Sequence, residues 1–155
     1  MKRIGIVSDT HGDCGHLEQA LMKMEAGGHL DCLIHCGDGG RDAVYLTGNI
    51  MQTVIVRGNC DGWGCEYKEE MLLPIGKVMF MVTHGHRYGI KREPDLLADS
   101  AVAKGAQIVC FGHTHTPYCQ YHQGVLLLNP GSCAYTGRCA VITIDDKGEY
   151  TVELL

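Results

Sequence analysis

Short apolar runs alternate with polar turns and helical spacings through the first half of the chain. Ile4–Val7, Leu33–Ile34 and Thr53–Val56 each predict a buried strand. The apolar spacing from Leu17 to Met24 predicts a helix, and Ala43–Leu46 predicts a shorter one. Strands and helices therefore alternate, an order that predicts a parallel sheet with right-handed crossovers.

The second half of the chain is richer in strands. Val78–Val82 and Ile108–Phe111 predict strands, with a helix over Asp95–Lys104 between them. The remaining apolar segments predict two hairpins, formed by Tyr118–Tyr121 with Val125–Leu128 and by Ala140–Ile144 with Tyr150–Leu154. The pattern as a whole predicts an α/β (α+β) fold with a mixed sheet, and the length of 155 residues predicts one domain over 1–155.

Composition and charge narrow the class of protein. Hydrophobic residues make up 45% of the chain and charged residues 20%, as is typical of a soluble globular protein. The net charge of −5 argues against a nucleic-acid partner, because nucleic-acid binders usually carry a basic patch. No apolar stretch approaches the roughly 18 residues of a membrane span, so no membrane association is expected.

The cysteines indicate a reducing compartment. There are nine, an odd number with no CxxC pair, which is a poor disulfide framework. Reduced thiols and the absence of a signal-peptide pattern predict a cytoplasmic protein. Cys32 and Cys110 lie in apolar runs and are expected to be small core residues.

Potential metal ligands follow five of the predicted strands, at the carboxyl end of each. Because the carboxyl ends of strands in an open α/β sheet are where sites form, we expect these side chains to meet although they are far apart in sequence. The predicted ligands are Asp9, His11, Asp38, Asn59, His84, His113 and His115.

These seven oxygen and imidazole ligands predict a centre of two divalent ions. The ligand types suit borderline cations, with Mn²⁺ the first choice and Fe²⁺, Zn²⁺, Ni²⁺ or Co²⁺ as alternatives. Seven ligands are too many for one four-coordinate zinc with an open position. They suit two ions ~3.5–4 Å apart that share a carboxylate. Because two such close cations repel, we expect Asp38 to bridge them together with a hydroxide.

The same residues carry a resemblance to a known family. Asp9-x-His11, Gly37-Asp38, Gly58-Asn59, His84-Gly85 and Gly112-His113-x-His115 resemble, in order and spacing, the five motifs of the calcineurin-like metallophosphoesterases. Asn129-Pro130-Gly131-Ser132 is similar to the end of their small bacterial and archaeal phosphodiesterases. The resemblance implies a β-sandwich of mixed sheets flanked by helices, with the metal site at the strand carboxyl ends.

The resemblance also implies how the ligands divide between the ions and which residues assist the chemistry. One ion would be held by Asp9, His11, Asp38 and His115, and the other by Asp38, Asn59, His84 and His113. Cys60 stands where much of the superfamily has a histidine that acts on the phosphoryl group or the leaving oxygen, and the small phosphodiesterases tend to have cysteine there. His86 would orient the phosphate, hydrogen-bond a metal ligand or only pack. The residues expected to act in catalysis are therefore Asp38, Asn59, Cys60 and His86.

The expected function is hydrolysis of a small phosphodiester at the two-ion centre. The alternatives are a phosphomonoesterase of the same fold, a nuclease, and a non-catalytic scaffold similar to the retromer subunit that resembles this family. Taken singly, Asp9 and Asp38 also suit helix N-caps, and Asn59 suits an Asx-turn. Homo-oligomerisation is left open by the sequence.

Overall fold

The computed structural model of the protein describes residues 1–48 and 50–155. Its strands and helices have the following bounds: β1 Lys2–Val7, α1 Cys14–Ala26, β2 Cys32–His35, α2 Gly40–Thr47, β3 Gln52–Ile55, β4 Glu70–Ile75, β5 Val78–Thr83, α3 Asp95–Ala103, β6 Ile108–Cys110, β7 Tyr118–His122, β8 Val125–Asn129, β9 Ala140–Ile144 and β10 Tyr150–Leu154.

The strands form two five-stranded sheets. The first has the order β10-β9-β1-β2-β3, and the second has the order β4-β5-β6-β8-β7. In the first sheet β1, β2 and β3 run parallel, while β9 pairs antiparallel with both β1 and β10. In the second, β5, β6 and β8 run parallel and the edge strands β4 and β7 are antiparallel to their neighbours. Both sheets are therefore mixed.

Three apolar layers hold the two sheets and the helices together. The inward side chains of both sheets share the central layer, for example Ile4 and Ile6 of β1 with Phe80 of β5. The opposite face of the first sheet packs against α1 and α2, and the opposite face of the second packs against α3. Because both faces of the parallel strands are covered, these strands read in the sequence as continuous apolar runs. The predicted fold class, with two mixed sheets and flanking helices, is confirmed.

Strand β4 was absent from the elements that the sequence pattern predicts. It contains Pro74, which has no N–H to donate to a ladder. The strand lies at the edge of its sheet, where Pro is tolerated, and Met71, Leu73 and Ile75 alternate along it and pack on the central layer. The alternation of apolar residues was thus present in the sequence, but Pro74 and the acidic residues Glu69 and Glu70 obscured it.

A second correction concerns the strands that carry the predicted ligands. Apolar periodicity alone predicts that their carboxyl ends lie along one open sheet, whereas β1, β2 and β3 belong to the first sheet and β5 and β6 to the second. The predicted ligands therefore meet where two sheets come together. No helix among the described residues is long and apolar enough to cross a membrane.

Candidate metal centre

Backbone hydrogen bonds join the turns that follow β1 and β2. The Asp9 N–H donates to the Gly37 carbonyl at 3.0 Å, and the His11 N–H donates to the Asp38 carbonyl at 3.0 Å. The parallel register of β1 with β2 continues into these turns, with Val7 opposite His35. Three of the predicted ligands, Asp9, His11 and Asp38, are thereby held side by side.

Two further hydrogen bonds join the turns of the second sheet to each other and to the first sheet. The Gly112 N–H donates to the His84 carbonyl at 3.1 Å. The His113 N–H donates to Asp9 Oδ2 at 3.2 Å and so links the two sheets. A Cβ on Gly112 would lie 2.0 Å from Ser8 Oγ and 2.6 Å from Asp9 Oδ2, so only glycine permits this approach.

The backbone at most of the predicted ligands is left-handed, a conformation that residues other than glycine seldom adopt. Seven described non-glycine residues have positive φ, and five of them are predicted ligands. Such strain is concentrated at functional sites, because a packed structure has to impose it. The five are Asp9 (φ 55°), His11 (φ 45°), Asp38 (φ 60°), His113 (φ 69°) and His115 (φ 63°).

The side chains expected to hold the first ion lie together. His115 Nε2 is 3.2 Å and His11 Nε2 is 3.6 Å from Asp9 Oδ1, and His11 Nε2 is 3.9 Å from Asp38 Oδ2. Asp9, His11 and His115 each offer a ligand atom within 4.8 Å of the others. The Asp9 side chain is fully buried whereas His115 is 52% exposed, so this half of the site opens to solvent.

The side chains expected to hold the second ion also converge on Asp38. His84 Nε2 lies 3.2 Å from Asp38 Oδ2 and 3.8 Å from Asp9 Oδ1. His113 Nδ1 lies 3.1 Å from Asn59 Oδ1, and the rings of His84 and His113 meet edge to face with centroids 5.2 Å apart. Asp38 therefore lies between the two predicted ligand sets, and the structure brings all seven predicted ligands to one place.

The chemistry of the buried atoms fits divalent cations. Among the described residues, Asp9 Oδ1 and His84 Nε2 are buried and have no hydrogen-bond partner. His84 Nδ1 is 2.8 Å from the Cys36 carbonyl, so in the neutral ring Nδ1–H donates there and the lone pair of Nε2 faces the carboxylates. A carboxylate oxygen and an imidazole lone pair without protein partners are suitable ligands for a cation.

The ionisation of Asp38 and His84 is coupled. Burial raises the pKa of Asp38, but the His84 ring, whose Nε2 lies 3.2 Å from Asp38 Oδ2, and the Cys60 N–H together lower it to about 2. Burial also lowers the pKa of His84, and the nearby Asp38 and Asp9 outweigh this and raise it above its ordinary value. The metal-free site therefore favours a proton on His84, and cation binding has to displace it.

Asp61 fastens the turn after β2 to the turn after β3. Its Oδ2 accepts the N–H groups of Asp38 at 3.0 Å and Gly58 at 2.7 Å, and its Oδ1 accepts that of Gly39 at 2.9 Å. A Cβ on Gly58 would lie 2.0 Å from Asp38 Oδ1, so glycine is needed for this contact. From the sequence alone, Asp61 could either hydrogen-bond a ligand residue or cap its own loop, and in the structure it does both. Its position two residues after Asn59 was the only signal.

A second buried network supports the same turns from behind. His35 Nδ1 accepts the Gly37 N–H at 3.1 Å, which leaves Nε2–H to donate to Thr10 Oγ1 at 2.9 Å. Thr10 in turn donates to Asp42 Oδ2 at 2.6 Å. Burial lowers the pKa of His35 to about 4, so its ring is neutral near pH 7. Neutral His35 thus orients the turns that carry the predicted ligands.

Cys60 lies at the mouth of the site. Its N–H donates to Asp38 Oδ1 at 2.8 Å, and its exposed Sγ lies within 4.8 Å of ligand atoms of His11 and Asp38. Partial burial and the charge of Asp38 raise the pKa of the thiol. The protonated thiol therefore lies near His11 and Asp38 at the opening, and its Sγ also accepts from Asn59 Nδ2 at 3.6 Å.

His86 lies on the other side of the centre. Its ring centroid is 5.5 Å from that of His84 and 6.1 Å from that of His113. Burial and the charge of His84 lower its pKa, so the ring is neutral, and its buried Nδ1 has no partner among the described residues. Cys60 and His86 therefore flank the predicted ligands from opposite sides.

The chain belongs to the calcineurin-like phosphoesterase superfamily, whose domain it matches over residues 1–147. This superfamily comprises metal-binding phosphoester hydrolases, and the predicted class of protein is confirmed. The chain is similar to the probable metallophosphoesterase YsnB of Bacillus subtilis, with 37% identity over 127 residues that cover 82% of this chain and 72% of that protein. It is 29% identical over 170 residues to the phosphodiesterase MJ0936 of Methanocaldococcus jannaschii, covering 96% of each chain.

The fold is also found in a solved structure. The crystal structure of a predicted phosphoesterase from Streptococcus pneumoniae superposes with a TM-score of 0.79 at 29% identity. The superposition covers 99% of this chain and 88% of the other. The two-sheet architecture is therefore shared with a solved structure that is described as a predicted phosphoesterase.

The role of Asp61 can be tested by removing its charge. Asp61→Asn leaves one acceptor oxygen for three N–H donors, which should lower the free energy of unfolding of the metal-free protein by ~1.5–3 kcal/mol. Because the Asp38 turn is then free to shift, metal affinity should also fall. Urea unfolding measures the first effect, and calorimetric titration with Mn²⁺ measures the second.

Asp145→Asn is the matched control. Asp145 Oδ1 also accepts two backbone N–H groups, from Lys147 at 2.8 Å and Glu149 at 2.9 Å, but in the β9–β10 turn. This variant should lose stability and keep its metal affinity. If the Asp61→Asn variant bound metal as tightly as the wild type, the three hydrogen bonds of Asp61, here the Asp61 clamp, would not be what positions the ligands.

Proposed function

We propose that the protein is a phosphodiesterase that hydrolyses one ester bond of a small phosphodiester at a centre of two divalent ions. The observation that carries the proposal is the convergence of carboxylate, amide and imidazole groups from five strand ends around Asp38. Superfamily membership and the similarity to a protein named as a phosphodiesterase support it. In the reaction one P–O bond breaks, the oxygen of water joins phosphorus, and a proton goes to the leaving alkoxide.

The two ions would be held by the seven predicted ligands, with Asp38 shared between them, and Mn²⁺ is the first candidate. When bound, they would supply a nucleophile at neutral pH, by lowering the pKa of water to about 7, and positive charge for the phosphate oxygens. The protein's own contribution is then positioning and electrostatics. His113 and Asn59 fix each other at 3.1 Å, and the turns are locked by the Asp61 clamp.

Cys60 and His86 would act on the substrate from their opposite sides. A thiol with a raised pKa stays protonated but donates only a weak hydrogen bond. The neutral His86 ring can donate one hydrogen bond to a phosphate oxygen, and it carries no charge with which to stabilise the leaving group. Leaving-group protonation is thus expected to be weakly assisted.

Two other functions remain as alternatives. A phosphomonoesterase would use the same ligands, and only its substrate preference would differ. A non-catalytic scaffold would have no need of a complete ligand set. All seven positions carry residues able to bind metal, and two buried ligand atoms, Asp9 Oδ1 and His84 Nε2, lack a partner among the described residues, which favours an enzyme.

The bridging role of Asp38 predicts that Asp38→Asn abolishes activity and metal binding together. Loss of the charge between two cations leaves their repulsion uncompensated, so hydrolysis should fall by several orders of magnitude. Elemental analysis should find less than the two ions expected in the wild type. Asp31→Asn is the control, since Asp31 accepts the Arg3 N–H away from the site and should affect neither. A fully metallated, active Asp38→Asn protein would exclude the bridge.

Diesters should be hydrolysed better than monoesters. A monoester dianion binds two cations tightly in the ground state, which does not by itself speed the chemical step. A cleft of about 370 Å³ beside His11 and Cys60 offers room for a second ester group. The measurement is kcat/KM for bis(p-nitrophenyl) phosphate and for p-nitrophenyl phosphate with each metal. Higher values for the monoester throughout would favour the phosphomonoesterase, and no turnover by metal-loaded protein would favour the scaffold.

The presence of a thiol at position 60 predicts that the rate of hydrolysis depends on the leaving group of the substrate. Cys60→His should raise the rate for thymidylyl-thymidine more than for bis(p-nitrophenyl) phosphate, because only the alkoxide needs a proton and such help is worth ~10²–10⁴-fold. Cys60→Ala should cost little on the aryl diester and keep its metal. Because Sγ lies near His11 and Asp38, metal loss in Cys60→Ala would instead identify the thiol as a ligand.

A further inference from the structure

The loop formed by residues 62–66, here the Trp63 loop, lies beside the candidate metal centre. Its two ends are fixed, since the Asp61 carboxylate holds one and the Arg57 N–H donates to the Lys68 carbonyl at 2.8 Å beyond the other. Among the described residues, residues 62–66 themselves form no hydrogen bond. Gly62 (φ 67°) and Gly64 (φ 79°) are left-handed and flank Trp63. The loop therefore has firm ends and few restraints between them.

Trp63 is the single tryptophan of the chain and is fully exposed. A lone exposed aromatic residue carries little information by itself. Its place matters here, because Asp61 and Cys65, each two residues away, both line the cleft of about 370 Å³. Two residues span at most about 7 Å, so the backbone of Trp63 lies within that distance of residues that line the cleft.

The cleft joins the candidate metal centre to an aromatic and cationic wall. One side is lined by His11, Asp38 and Cys60, and the other includes Arg41 and Tyr67. The Tyr67 ring is packed against the start of α2, where a Cβ on Gly40 would lie 3.5 Å from Tyr67 Cε2. The volume lies within the range of ~300–1,000 Å³ that small-molecule sites occupy.

We propose that this cleft binds an aromatic ester group of the substrate, and that Trp63 closes on it as a second aromatic face opposite Tyr67. The substrate class is then a nucleoside phosphodiester. This inference rests on the proposed function, because the phosphate must lie at the metal centre for its ester group to reach the cleft.

The physical reason for an aromatic occupant is the pairing of two rings around a narrow, partly polar space. A nucleobase stacks on aromatic side chains whatever its hydrogen-bonding edge. Among the described residues, Arg41 has no ion-pair partner within 4.0 Å, so its guanidinium is available to an acceptor on the base or the sugar. The acidic Asp42 and Asp61 of the cleft already accept hydrogen bonds from the protein, so they add little recognition.

Because Trp63 is the single tryptophan, its fluorescence reports directly on the cleft. The metal-loaded protein is titrated with AMP and, separately, with ribose 5-phosphate, which lacks only the base. AMP should produce a saturable emission change with a shift to shorter wavelength as the indole leaves water. Ribose 5-phosphate should bind, as judged by inhibition of diester hydrolysis, with little emission change.

Variants separate stacking from other effects. Trp63→Ala should raise the inhibition constant of AMP ~5- to 150-fold, the loss expected for one stacking face. The constant for ribose 5-phosphate should stay within about twofold, as for an ordinary surface substitution. Trp63→Phe should restore part of the AMP affinity. Tyr45→Ala is the matched control, because Tyr45 is an exposed aromatic of α2 outside the cleft walls and should change neither constant.

The same measurements distinguish an incorrect aromatic subsite from an incorrect proposed function. If AMP leaves the emission unchanged and inhibits wild type and Trp63→Ala equally while diesters are hydrolysed, the aromatic subsite is wrong and the phosphodiesterase stands. If the metal-loaded protein hydrolyses no phosphodiester, the proposed function fails, and the subsite fails with it.

Discussion

The structure depends on keeping two carboxylates buried side by side. Asp9 is 0% and Asp38 is 3% exposed, and an uncompensated buried charge is costly. Part of the cost is offset locally, because Asp9 Oδ2 accepts from Ser8 Oγ at 2.6 Å and Asp38 Oδ1 accepts the Cys60 N–H. The remaining oxygens face His11, His84 and His115. The protein alone therefore compensates these charges incompletely, which suits the site to a cation.

This arrangement requires an unfavourable backbone. A left-handed residue other than glycine costs ~1–3 kcal/mol, and five of the predicted ligands have this conformation. The conformation is maintained by rigid surroundings, namely two sheets that are joined through a shared apolar layer and covered by helices on both outer faces. The Asp61 clamp and the His35–Thr10–Asp42 network then fix the turns themselves. Stability in the layers thus supports strain in the turns.

Much of the fold and of the site could be predicted from the sequence because short local patterns of apolar and polar residues indicate both. Buried strands appear as apolar runs, and the polar residue after each run marks its carboxyl end, so the seven ligands could be predicted from their positions. The division into two sheets could not be obtained from periodicity, because it depends on which strands pair, and only the family resemblance implied it. Strand β4 was hidden by Pro74. The link that Asp61 makes to the β2 turn could not be derived, because two of its three donors, Asp38 and Gly39, are brought close only by the fold.

The link from His113 to Asp9 joins residues 104 positions apart. A centre assembled over such a separation cannot exist in a chain in which only one sheet has formed, because loop-closure entropy opposes that contact until both sheets dock. Folding must therefore be nearly complete before a tight cation site is available. Conversely, if the two sheets separate at the end that carries the candidate metal centre, the predicted ligands are divided between them. Loss of a bound ion is then coupled to any separation of the two sheets as well as to the motion of single ligand side chains.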